Sequence, residues 1–196
     1  MPSTPVDRAL AAIDSANSED PNLIPDGTVH RPKELVHAER MAAWLHVLAP
    51  DADDAQRLAA RAHHFRRWTT PRTDYPAGRA GYLRWRRDAH RRHAEEVGGL
   101  LRTCGVDEEV IADTMRIVTK DGLRTDPRVQ VHEDALCLVF FELQGLSTAA
   151  LLGERTERVV AKTLAKMSDF GRSHLAEASI APEVRAVIDA ALSPEG

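Results

Sequence analysis

A chain of 196 residues, 43% of them apolar, can bury one sizeable core, so a single domain is expected. No apolar run approaches the ~18 residues of a membrane span, and the opening MPSTPVDRAL lacks the basic-then-apolar order of a secretory leader. A net charge of −4 argues against a protein whose whole surface tracks nucleic acid, and Cys104 and Cys137, both in apolar helical contexts, read as buried free thiols of a cytoplasmic protein.

In chain order, Val6 to Asn17 has the period of a short amphipathic helix, and Ser18 to Gly27 reads as loop, punctuated by Pro21, Pro25 and Gly27. Arg31-Pro32-Lys33-Glu34 opens a second helix running to about Ala49, with Leu35, Ala38, Ala42, Leu45 and Leu48 on one face and His37, Met41 and Trp44 extending it. A third starts at the acidic Asp53-Asp54 and continues to Trp68. Thr69 to Gly78 is a loop holding Pro71 and Pro76. A fourth helix covers Ala80 to Cys104 and stops at Gly105. A fifth runs from Asp107 to Lys120. Pro127 to Leu146 is the longest apolar helix, and Ala135 to Phe141 is apolar on every side, so it should be central. Glu154 to Met167, Gly171 to Ala178 and Pro182 to Leu192 complete the set. No alternating run is long enough to suggest a sheet, so the expected architecture is an all-α, single-domain bundle.

Charge is unevenly spread along this chain. Arg61 to His93 holds ten Arg, four His, two Trp and two Tyr against Asp74 and Asp88, a formal +8, which leaves −12 for the rest. The chain has four Lys against 22 Arg, which reflects base composition, but the clustering does not. Arg presents a planar five-donor fork suited to oxyanions. Arg67, Arg72, Arg84 and Arg86 are expected at the mouth of a site, with Tyr75 in a semi-rigid lid between Pro71 and Pro76. Arg61, Arg87, Arg91 and Arg92 are expected in solvent. Alternatively, the arginines pair with the excess acid elsewhere.

Histidines and carboxylates supply candidate ligands. The pair His63-His64 closes an apolar helical stretch, where neighbouring side chains point about 100° apart and cannot face one site equally. Glu133-Asp134 precedes the apolar core run, where carboxylates need a metal, an Arg or a helix N-terminus to compensate them. His93 shares a face with Trp85, Ala89 and Leu100 and should point inward; His90 should be solvated. His37 points with Met41 and Trp44. His132 is left open beside the carboxylates. Four helices thus each offer an inward ligand: His37, His63 or His64, His93, and Asp134 or Glu133. Imidazole with carboxylate and no Cys suits Fe, Mn, Co or Zn.

The order His37, His63-His64, His93, Asp134 resembles the HD-domain superfamily, all-α metal-dependent phosphohydrolases with a di-iron oxygenase branch. The departure is at the doublet, which reads His-His rather than His-Asp. Over nearly the whole chain, RPKELVHAERMAAWL, LAARAHHFRRWTTPR, YPAGRAGYLRWRRDAHRRHAEEV and KDGLRTDPRVQVHEDALCLVFFE resemble an uncharacterised domain-of-unknown-function family, some of whose members carry a "glutamyl-tRNA synthetase-like" label. That resemblance implies an HD-like helical fold and points to Arg40, His64, Arg67, Trp68, Arg72, Tyr75, Trp85, Arg86, His93, Glu133 and Asp134.

The sequence therefore predicts a cytoplasmic, metal-dependent enzyme acting on a small anionic substrate, foremost a phosphate ester. Glu133, Arg67 and Arg72 would act in the chemistry. Arg40, Arg67, Arg72, Tyr75 and Arg86 would bind substrate. His37, His63, His64, His93 and Asp134 would hold a divalent metal. An iron-dependent oxygenase on the same scaffold is one alternative; a metal-free module binding an anion or RNA is another. A homodimer is compatible with all three. No Walker loop, GxGxxG, GxSxG or zinc-finger pattern is present.

Overall fold

Thr4 starts the first helix, α1 (Pro5–Asn17), with a capping box: its hydroxyl accepts from the Asp7 N–H and the Asp7 carboxylate accepts from the Thr4 N–H. This computed structural model describes residues 3–145, 150 and 155–193. A hairpin follows, β1 (Leu23–Asp26) antiparallel to β2 (Val29–Pro32), where the sequence suggested loop to Gly27 and a helix opening already at Arg31-Pro32. Two four-residue strands, one interrupted by Pro25 and the other ended by Pro32, carry no usable alternation. The pairing is set by the turn after Asp26, with Gly27 at φ 64°, and by Arg31, which bridges Asp26 and Glu39.

The helices are otherwise close to their expected places. α2 (Lys33–Leu48) has no cap of its own at Pro32; buried Asp20 accepts from the Glu34 N–H at 3.0 Å and caps it from across the hairpin. α3 (Asp54–Ala62) opens with a capping box between Asp53 and Gln56 and is six residues shorter than predicted. Arg66 takes the left-handed region, φ 47°, with its N–H held by Asn17 Oδ1 at 3.1 Å, so the chain turns away before Trp68. Short 3-10 turns at Arg67–Thr69 and Arg72–Asp74 lead to α4 (Gly78–Thr103). There follow α5 (Glu108–Thr119), α6 (Pro127–Leu143), α7 (Thr156–Leu164), α8 (Asp169–Ser173) and α9 (Pro182–Leu192). Leu146 and Glu154, expected as helix ends, lie outside the described residues, as does the side chain of His90.

α6 is central, as its sequence predicts. Ala135, Leu138, Val139 and Phe141 are buried against Met41, Leu45 and Leu48 of α2, Val160 and Leu164 of α7, and Val184 and Ile188 of α9. A second layer joins Ile13 of α1, Leu58 and Ala62 of α3, Phe65, Val97 and Leu101 of α4, and Ile111 of α5. Each Val, Leu, Ile, Met or Phe among them contributes about 1.5–3 kcal/mol by leaving water. Leu136 and Phe140 are only half-buried, because that stripe of α6 faces a cavity.

Candidate functional site

The end of α3 brings the two doublet histidines together. Had the helix continued, their rings would diverge; because it stops at Ala62, both enter one cluster with His37 and His132. The His37 and His64 rings stack with centroids 4.0 Å apart, His63 and His64 lie at 5.0 Å, and His63 and His132 at 4.8 Å. His132 Nε2 and His63 Nδ1 are hydrogen-bonded at 2.8 Å. Burial lowers all four pKa values. His37 and His132 fall to about 3, with Arg67 adding to the effect on His37 and Lys120 on His132; His63 and His64 fall well below the usual range. The cluster is therefore neutral imidazole at pH 7.

The tautomer of His64 follows from its partners. Arg67 approaches Nε2 at 2.6 Å and can only donate, so the His64 proton sits on Nδ1 and is donated to Glu34 Oε2 at 3.1 Å. Glu34 is 5% exposed, and burial raises its carboxyl to about 7 against the opposing charges of Arg67 and Lys33. His37 is 1% exposed, and neither ring nitrogen has a hydrogen-bond partner among the described residues. Donor atoms of Glu34, His37 and His64 lie within 4.8 Å of one another. Two imidazoles and one carboxylate are a donor set that holds zinc or iron with coordination positions to spare.

Beside this cluster is a cavity of about 380 Å³. His63, His64 and Arg67 form one end. Trp85, Arg86, Ala89, Arg92 and His93 line it from α4, Lys120 from the end of α5, Glu133, Leu136, Cys137 and Phe140 from α6, and Val159, Thr163 and Lys166 from α7 and its exit. The spacing on α6 is that of one helix face, i, i+3, i+4, i+7. Arg67 lies 5.4 Å from the centre of the Trp85 ring, and Glu133 is ion-paired to both Lys120 and Lys166. Cys137 is a buried free thiol whose pKa burial pushes up to about 12, so it is an inert part of the wall.

Of the residues singled out by sequence, His63, His64, Arg67, Arg86, His93 and Glu133 meet at the cavity, with His37 packed on His64. Others are placed elsewhere. Asp134 turns from the histidines and accepts from Ser168 N–H at 2.8 Å, Ser168 Oγ at 2.6 Å and Gln130 Nε2 at 3.0 Å, so it fastens the start of α8 to α6. Arg72 spends its guanidinium on the carbonyls of Tyr75 and Pro76, both at 2.8 Å, and holds the loop in which Tyr75 stands outside the cavity. Arg40 is exposed and pairs with Asp26 of the hairpin. Arg84 is exposed on α4 beside Asp88. Arg61, expected in solvent, clamps Asp14 at 2.5 and 2.7 Å, and Arg92 turns to the cavity. The loop is also tied by Trp85 Nε1 donating to the Thr70 carbonyl at 2.8 Å, and Gly81 is required because a Cβ there would strike the Pro76 carbonyl.

The chain belongs to DUF4202. That family, described as a domain of unknown function, matches residues 7–188. No curated protein and no solved structure matches it.

Two residues of this cluster and cavity, Glu34 and Lys120, escaped the sequence reading. Glu34 sits three residues before His37 on one face of α2, a spacing the sequence does display. Lys120 was read only as the end of a helix. The role of Asp134 gives a test of its own. Asp134→Ala removes three hydrogen bonds to a buried carboxylate and should cost about 2–4 kcal/mol in urea denaturation. Metal binding by the folded fraction should be unchanged; loss of metal at full stability would return Asp134 to the ligand set.

Proposed function

We infer that this protein is a metal-dependent enzyme acting on a small anionic substrate, and that the reaction is hydrolysis of a phosphate ester. His37 carries this reading. Burying an imidazole with two unpartnered nitrogens costs on the order of 1–3 kcal/mol for each, and a metal shared with Glu34 and His64 recovers that cost. Bound there, the metal would supply Lewis acidity and a water of lowered pKa. Arg67 holds one His64 nitrogen and Glu34 the other, so ligation by His64 requires Arg67 to turn away. Its place over Trp85 already sets it at the cavity, where it neutralises an anion.

The donor set of two His and one Glu favours a second reading, an iron-dependent oxygenase in the same cavity. Elemental analysis of protein purified without chelator or His-tag, beside His64→Ala, tests both. About one equivalent of Zn, Mn or Co, lost in the variant, supports hydrolysis. Iron in the same amount supports oxygenation. No stoichiometric metal, with the variant still folded, overturns both and leaves a metal-free module that binds an anion or RNA.

A further inference from the structure

We propose that Lys120 and Lys166 form a seat for a doubly charged tetrahedral anion, a phosphate or phosphonate group, whose apolar body lies against Trp85, Leu136, Phe140 and Val159. This rests on the reading that the cavity takes an anionic substrate, and adds its charge and orientation. The first argument is composition. In a chain with four Lys and 22 Arg, two of the four lysines meet at one carboxylate. A compact ammonium and a planar fork are not interchangeable at such a position.

Lys120 also occupies an unusual backbone position. It ends α5 at φ 62°, where glycine is usual, and its side chain reaches inward to Glu133 Oε2. A non-glycine residue held there at a cost in strain is what functional positions show. Lys166 approaches the other oxygen, Oε1, at 3.6 Å and stays half exposed toward the cavity. Glu133, 1% exposed, aligns both ammonium groups. Among the described lining residues it is the one carboxylate facing Arg67, Arg86, Lys120 and Lys166, while the fifth cation of the lining, Arg92, pairs with Glu96 outside it. That excess of three positive charges exceeds what a carboxylate ligand would neutralise. The two walls differ in kind, cationic at Lys120 and Lys166 and apolar at Trp85, Leu136, Phe140 and Val159, so the ligand must be two-ended.

Phenylphosphonate and benzoate share a ring and differ in charge and shape, so they are the probes. Calorimetric titration at pH 8.5 should show phenylphosphonate bound at least about tenfold more tightly than benzoate. Lys120→Met and Lys166→Met should each lose most of that preference. If Lys120→Met fails to fold, the double variant Lys120→Met/Glu133→Gln relieves the buried charge and should still lack the preference. Equal affinity for the two probes, or a double variant with the wild-type preference, would overturn the proposal, since Lys120 would then merely neutralise Glu133. Cobalt stoichiometry on the same samples separates this from the metal reading. Retained cobalt with no preference sinks the anion seat alone; absent cobalt with the preference intact sinks the metal site alone.

Discussion

His37→Leu is expected to stabilise the chelator-stripped protein by about 1–3 kcal/mol while lowering its metal affinity at least about 100-fold. The two effects have one origin. His37 is buried on α2 beneath the His64 ring, with two polar nitrogens that find no partner among the described residues. Leucine is of similar size and has nothing to desolvate, so the stripped fold loses a penalty. In wild type a metal bound to the native state alone would recover the penalty, and stability should then rise with metal concentration as mass action requires. The variant should lose that dependence. Urea denaturation in chelator and in cobalt, on both proteins, gives the four numbers needed. A stripped variant less stable than wild type would mean that the His37 nitrogens are satisfied without a metal.

Acid should unfold the metal-free protein through the same cluster. His37, His63, His64 and His132 are all held neutral by burial, with folded pKa values far below the ordinary 6.5. The unfolded chain therefore takes up these four protons first, so stability is full above pH 6.5 and falls as pH drops toward the folded value of about 3. Glu34 works the other way. Its carboxyl, raised to about 7 when folded, binds its proton before the unfolded form does, and adds stability as pH falls from 7 to about 4.5. Four histidines against one glutamate leave three net protons, a slope approaching about 4 kcal/mol per pH unit near pH 5. Against a typical stability of about 5–15 kcal/mol, the fold should be lost between about pH 5 and pH 4. Metal on His37 and His64 should shift that transition to lower pH. Urea midpoints that stay flat from pH 7 to pH 5 would show that the cluster is hydrated rather than dry.

What sequence shows of this protein is what depends on neighbours along the chain. The helices were legible because a 3.6-residue period and local caps specify them: Asp53 with Gln56, Pro127 at the start of α6, Gly105 after α4. The apolar run Ala135 to Phe141 announced the central helix without any partner in view. His63, His64, His93, Arg67, Arg86 and Glu133 could be picked as candidates because their types and faces are local facts, and the fold brings these six to one cavity.

Tertiary structure decided where those side chains are used. Past the end of α3 the chain turns at Arg66, whose N–H is held by Asn17, some 49 residues away, and both doublet histidines enter one cluster. Asp134 reads as a ligand in one dimension, but Ser168 and Gln130 take its oxygens. Arg72 and Arg67 look alike in sequence, yet one is consumed by backbone carbonyls and the other reaches His64 and Trp85. The hairpin was hidden because two short strands gain their order from Gly27 and Arg31 rather than from alternation. Helix formation is a short-range balance of propensity and capping. Which polar group meets which across a buried site depends on desolvation and partners brought from distant segments, and only the folded chain places them.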